Sequence, residues 1–162
     1  GKEYWWGINT KYSSSLQFGS YFDNESVVVD IDKSKEVPWN IFGFSPYQWM
    51  RVDLSSIYST SALKFKLKAT EIPKLQAILF AYTGKKRMLQ KTLNESHFLD
   101  RGNGMYEVYL PLKSLMEHSE FRWDALKEIR FKILEGTQFE IGDFQLIEFR
   151  GNPKKPTKWK GI

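Results

Sequence analysis

The segment ALKFKLKA, residues 62–69, alternates without interruption: Leu63, Phe65 and Leu67 fall on one side, Lys64, Lys66 and Lys68 on the other. A period of two is the mark of a strand with one face in a core and one in water. EIRFKIL (128–134) repeats it, with Ile129, Phe131 and Ile133 opposite Arg130 and Lys132. MYEVYLPL (105–112) sets Tyr106, Val108 and Leu110 against Glu107 and Tyr109. LQAILFAY (75–82) differs in being apolar on both faces, with Gln76, Ile78, Phe80 and Tyr82 opposite Leu75, Ala77, Leu79 and Ala81. SVVVDID (26–32), WMRVDL (49–54) and FEIGDFQLIEF (139–149) are also β-rich, and SLQFGSYF (15–22) is a further candidate strand. Turn signals separate them at NIFGFSP (40–46), TGKK (83–86), DRGNG (100–104) and EGT (135–137). Helix-like sequence is confined to Leu112–His118, with a turn at Trp123–Leu126. About eight short strands and almost no helix imply an all-β antiparallel sandwich or barrel.

At 162 residues the chain can bury one core without staples. Residues 1–150 are expected to form that sandwich, and 151–162 to be a linker or tail. Pro153–Lys160, PKKPTKWK, carries four lysines, so most of the +5 net charge sits outside the expected domain. The chain has no cysteine, which removes disulfides, thiol catalysis and zinc-thiolate sites. Nothing approaches the eighteen or so apolar residues of a membrane helix, and the N-terminus lacks a basic-then-apolar signal pattern.

Catalytic chemistry finds little to work with. His97 and His118 stand apart in loop-like contexts, without the spacing of metal ligands, and read as surface or turn residues. The acidic pairs Glu135 with Glu140 and Asp30 with Asp32 have no visible partner across a cleft, so an enzyme is not expected. Nor is nucleic acid: no aromatic RNA-binding strand signature is present, and the charge outside the tail is close to neutral.

Aromatic residues make up 16% of the chain, more rings than a core of this size needs. Sugars use such rings, because the apolar face of a pyranose packs on an indole or phenol while its hydroxyls take planar, multi-donor groups. Trp39, Phe42, Tyr47 and Trp49 fall within eleven residues, and QWMRVDLSS (48–56) places Trp49 and Arg51 on one side of a strand. Were their strands neighbours in one sheet, Trp49, Arg51, Lys64, Lys66, Tyr82, Tyr109, Arg130 and Lys132 would share a surface. Trp123 reads as a core residue, whereas Trp5 and Trp6 suit either a sheet edge or a binding surface.

The order of segments from Leu16 to Phe149 resembles the jelly-roll carbohydrate-binding modules with a galactose-binding-like sandwich, near the family 4, 11, 22 and 30 types. The resemblance rests on WMRVDLSS before ALKFKLKA, on GMYEVYLPLKSL (104–115), and on FRWDALKEIRFKI (121–133) followed by FEIGDFQLIEF. The complex I intermediate-associated family shares the fold, but its glycine-rich N-terminal motif is not visible. The resemblance implies a structural Ca²⁺ joining the first and last strands, with Asp23 or Glu25 and Asp143 at the matching positions. It also implies glycan binding, on a concave sheet face or in the edge loops. The outward residues favour the concave face, with Trp49, Arg51, Trp39, Tyr47, Lys64, Lys66, Tyr82, Tyr109, Arg130 and Lys132 as the candidate carbohydrate contacts.

The function expected is that of a non-catalytic module, secreted or at the cell surface, monomeric, and tethered to the catalytic domain of a polysaccharide-degrading parent chain. Its lysines and arginines point to an anionic polymer, sulfated or uronic. A neutral β-glucan or xylan ligand, or a protein-interaction sandwich, are the alternatives.

Overall fold

The structure, a computed structural model, describes residues 5–7, 14–18, 26–31, 41–44, 52–115, 120–136 and 138–149, with backbone alone at 5–7, 14–18 and 31. The described residues form eleven strands: β1 Trp5–Gly7, β2 Ser14–Phe18, β3 Ser26–Ile31, β4 Ile41–Phe44, β5 Ser61–Lys68, β6 Lys74–Ala81, β7 Met88–Thr92, β8 Phe98–Gly102, β9 Met105–Pro111, β10 Leu126–Glu135 and β11 Gln138–Glu148. They build two antiparallel sheets, one ordered β1-β4-β10-β6-β7 and the other β2-β3-β11-β5-β9-β8.

The alternating segments account for the core. Phe42, Leu75, Leu79, Ile129, Phe131 and Ile133 from the five-stranded sheet meet Val27, Val29, Leu63, Phe65, Leu67, Val108, Phe139 and Ile141 from the six-stranded one. Phe131 holds the centre, its ring 5.5 Å from Phe42, 5.4 Å from Phe65 and 5.7 Å from Phe144. Phe144 reaches that cluster through a bulge between Gly142 and Gln145 in the β11–β5 pairing, where Asp143 takes a φ of 55°. The extra residue switches the parity of the strand. Phe139 and Ile141 are buried in the core before the bulge, whereas Ile147 and Phe149 beyond it join a second small cluster with Ala62, Leu99 and Tyr109 on the far side of the six-stranded sheet.

Several sequence expectations change. IFGF, read as part of a turn, is strand β4, pairing with both β1 and β10. Its core side is Phe42 and Phe44, and only two residues of alternation lie between the glycine and the following proline, too few to announce a strand. Strands β7 and β8 were not expected either. In 49–54 the described part is one bridge, Val52 to Leu126, and Leu54 donates its backbone N–H to Trp123 O at 2.7 Å. The helix expected at Leu112–His118 is a single 3-10 turn, Leu112–Leu115, within the described residues. Trp123 is core, as expected, stacked on Tyr58 with centroids 4.6 Å apart. His97 is not a surface residue: it is buried, and its Nδ1 accepts the Asn94 backbone N–H at 3.0 Å. His118 lies outside the described residues.

Candidate functional site

A sandwich offers two outward sheet faces, and the candidate residues divide between them. Lys64 and Lys66 lie on β5 and Tyr109 on β9 of the six-stranded sheet; Arg130 and Lys132 lie on β10 of the five-stranded sheet, with Tyr82 just past β6. The shared surface expected from the sequence is thereby corrected, because β5 and β10 alternate alike but belong to opposite layers. Trp39, Tyr47, Trp49 and Arg51 lie outside the described residues, as do Asp23 and Glu25. The candidate acids divide too: Glu135 ends β10, whereas Glu140 is buried on β11 and accepts from Ser26 Oγ at 2.9 Å.

At its centre the outer face of the six-stranded sheet is occupied with itself, whereas exposed Gln145, opposite Lys64, and exposed Asp30 and Gln138, opposite each other, have no hydrogen-bond or ion-pair partner among the described residues. Glu107 is the hub: it accepts from the Tyr109 hydroxyl at 2.6 Å and from Arg101 Nε at 3.0 Å, with Lys64 Nζ 3.8 Å away. Burial alone would raise its carboxyl, but the tyrosine, arginine and lysine together bring it below the ordinary carboxylate value. Burial and that same carboxylate push the Tyr109 hydroxyl up. Tyr109 has 0% of its surface exposed, with Lys64 Nζ 5.5 Å from its ring centre and Phe149 at 6.1 Å. No ring face is left there for a sugar to stack on. Lys66 pairs with Asp143 at 3.0 Å. Asp143 is the one described member of the expected calcium set, and no trio of His, Asp or Glu suited to a metal occurs among the described residues.

The other outer face is built differently. Residues directly opposite in an antiparallel pair share a face. One row runs across the sheet through Gly43, Arg130, Ile78 and Gln90, and its backbone continues to Trp6 opposite Gly43. A second contains Ile41, Lys132, Gln76 and Thr92, and a third Glu128, Phe80 and Met88. This explains the doubly apolar β6: Leu75, Ala77 and Leu79 serve the core, while Ile78 and Phe80 lie in the outer rows.

Phe80 is surrounded by cations. The guanidinium carbons of Arg130 and Arg87 lie 4.1 and 4.8 Å from its ring centre, and Lys127 Nζ lies 5.8 Å from it and 5.5 Å from Tyr82. Arg130 is held by Glu128, accepting from Nε at 3.0 Å, and Lys127 pairs with the same carboxylate at 3.6 Å. Beside this cluster the side chains of Gln76, Gln90, Thr92 and Lys132 have no hydrogen-bond or ion-pair partner among the described residues. Two adjacent planar amides, a held guanidinium and a ring suit a polyhydroxylated ligand, which needs many donors and acceptors at once. Sequence reasoning named Arg130, Lys132 and Tyr82 but missed Gln76, Phe80, Gln90 and Lys127; the available signal was the second apolar face of β6.

The model of the family described as carbohydrate binding domain 30 matches residues 2–148. This chain belongs to carbohydrate-binding family 30. No curated protein sequence shows significant similarity to it. Among solved structures, a family 30 carbohydrate-binding module superposes with a TM-score of 0.63 at 14% identity, over 86% of this chain and 75% of that one. The family 30 module of the cellulosomal cellulase Cel9D-Cel44B of Clostridium thermocellum gives 0.63 at 15% identity, over 85% and 83%. A longer chain described as PfGH50B aligns with 91% of this chain over 23% of its own length, with a TM-score of 0.53 and 9% identity. The family 30 domain is thus a non-catalytic carbohydrate-binding module with the jelly-roll sandwich expected from its sequence.

Proposed function

We propose that this family 30 domain holds a catalytic domain of the same parent chain, outside the cell, against an anionic polysaccharide laid across the outer face of the five-stranded sheet. The observation that carries the reading is the contrast between the two outer faces. At the centre of the six-stranded sheet Glu107 with Tyr109 and Lys64, and Lys66 with Asp143, satisfy one another, and Tyr109 is covered. On the five-stranded sheet partly exposed Gln76 and Lys132 and exposed Gln90 and Thr92 surround the Phe80–Arg130 pair.

The charge of that face supports an acidic polymer. Arg87, Lys127, Arg130 and Lys132 lie on it or at its border, and the buried Glu128 is shared by two of them. Trp39, Tyr47, Trp49 and Arg51 enter the reading as the stacking and donor groups that the sequence offers besides. Tethering is supported by one relative, which is the module of a cellulosomal cellulase. Attachment to polymer raises the local concentration of substrate without any chemistry in the module.

Affinity electrophoresis against alginate, carrageenan, xylan and β-glucan tests the reading. Retardation by the acidic polymers, falling with added salt and lost in Phe80→Ala with Arg130→Gln, is expected. Retardation that survives this pair but is lost on changing Lys64 and Lys66 would move the site to the other sheet. Retardation by the neutral polymers alone would keep the face and remove the acidic ligand.

A further inference from the structure

We infer that a pocket at the β7 edge of the sandwich takes an acidic substituent, carboxylate or sulfate ester, of a sugar unit at the margin of the bound chain. The inference rests on the binding face proposed above and adds a separate subsite to it.

The pocket encloses about 250 Å³ and is lined from β7 by Met88, Gln90 and Lys91, from the preceding loop by Lys86, and from the 3-10 turn by Ser114 and Leu115. It is continuous with the proposed face, because two of its wall residues are in the rows of that face: Met88 is opposite Phe80 and Gln90 opposite Ile78. A chain crossing the sheet along either row arrives at the pocket when it reaches the edge strand.

Size and charge then specify the occupant. Pockets for drug-sized ligands run to roughly 300–1,000 Å³, so this one suits a single sugar unit or its substituent rather than a length of chain. Among the described residues its lining contains two lysines and no carboxylate. Both lysines are partly buried, and neither has an ion-pair partner among the described residues. Lys91 is opposite Ala77 in the register, on the core side of the sheet, which is an unusual place for an ammonium unless an edge is being protected or an anion met. Two partly buried cations without a counter-charge among the described residues make a site that gains from an oxyanion. Ser114 Oγ donates to Pro111 O at 2.7 Å, which leaves its oxygen to accept from a sugar hydroxyl. Gln90, also in the lining, supplies a planar amide donor.

The test compares the whole chain with Lys86→Gln/Lys91→Gln at constant ionic strength, using alginate as the carboxylate probe, carrageenan as the sulfate probe and β-glucan as the neutral one. A second pair, Lys66→Gln/Lys68→Gln, removes the same charge from β5 of the six-stranded sheet, away from both the pocket and the proposed face. The pocket pair is expected to lose at least tenfold in affinity for one or both acidic polymers, and less than twofold for the neutral one. The polymer affected identifies the substituent. Lys86→Arg/Lys91→Arg should keep most of the affinity, which separates lost charge from a disturbed edge. Equal losses from the pocket pair and the control pair would overturn the subsite in favour of diffuse attraction, as would an unchanged affinity. If the unaltered chain binds only β-glucan, the subsite is wrong and the face stands. If it binds none of the three, nor xylan, both readings fall.

Discussion

The guanidinium carbon of Arg130 lies 4.1 Å from the centre of the Phe80 ring, across the β10–β6 pairing, while its Nε donates to Glu128 at 3.0 Å. The aromatic contact contributes about 0.5–1 kcal/mol where it is exposed. The carboxylate matters more, because Glu128 retains only 4% of its surface in contact with solvent. Arg130→Ala leaves it with Lys127 at 3.6 Å as its remaining charged partner among the described residues. We expect a loss of about 2 kcal/mol in urea unfolding, within the range for stranding a buried charged group. Adding Glu128→Gln should recover part of it, since an amide is less costly to leave under-bonded than a charge. A loss below about 0.5 kcal/mol in the single variant would mean that the pair is idle.

Tyr109 supplies the opposite experiment. Its hydroxyl bonds Glu107 at 2.6 Å on the six-stranded sheet, away from the proposed face. Tyr109→Phe keeps the packing against Phe149 and removes one hydrogen bond to a charged acceptor, at a cost of about 1.5 kcal/mol. Polysaccharide affinity should not change. A tenfold fall in affinity with the fold intact would place ligand on the six-stranded sheet.

The same pair sets an alkaline limit. The folded Tyr109 hydroxyl titrates above its ordinary value of 10.0, chiefly through burial and then through the Glu107 carboxylate. A group raised on folding contributes fully below its unfolded pKa and loses that contribution as pH rises through the folded one. Stability should therefore decline above pH 10, and Tyr109→Phe should flatten that decline. Unfolding free energies measured between pH 9 and 11 in both proteins decide it; parallel curves would remove Tyr109 as the cause.

How much of this was legible in the sequence follows from what alternation encodes. The runs around Phe65, Val108 and Phe131 announced strands and their core sides, because a half-buried strand repeats every two residues. Alternation does not say which sheet a strand joins. Lys64 and Arg130 read alike and lie on opposite layers, and only the pairing of β10 with β4 and β6 separates them. Phe80 was visible as an apolar residue on the wrong side of β6 but not as the centre of a cationic cluster, since Arg87, Lys127 and Arg130 come from other segments. The parity switch at Asp143 was hidden for a different reason: a bulge is one extra residue, and its left-handed backbone has no obligatory residue type.

Gly104 closes the β8–β9 hairpin with a φ of 74°, following Gly102 at 86° and Asn103 at 57°. A side chain there is opposed twice. The backbone conformation disfavours it, and an added Cβ would come within 2.8 Å of the Ala69 carbonyl oxygen. That approach is fixed by the Ala69 N–H, which donates to Gly104 O at 2.9 Å. Gly104→Ala should cost about 2 kcal/mol. Gly102→Ala, with nothing within 4 Å of its Cβ, should cost only the conformational part, about 1 kcal/mol. Equal losses in thermal unfolding would remove the Ala69 contact from the explanation.

His97 governs the acid side. It is buried with 3% exposure, and burial above all holds its pKa below the ordinary 6.5, with Lys91 adding to the effect. In the folded state Nδ1 accepts the Asn94 backbone N–H at 3.0 Å, so that nitrogen has no proton. The unfolded chain takes up a proton first as pH falls below 6.5, so stability is complete above that value and declines beneath it until the folded histidine also titrates. Glu107, lowered below its ordinary 4.5, adds a second decline under that pH. His97→Gln keeps a carbonyl acceptor at the end of the side chain but cannot titrate. It should lower stability at pH 7.5 and abolish the decline between pH 6.5 and 5, leaving the step below 4.5. A variant whose stability still falls across pH 6.5 to 5 as steeply as the parent would show that another group carries that limb.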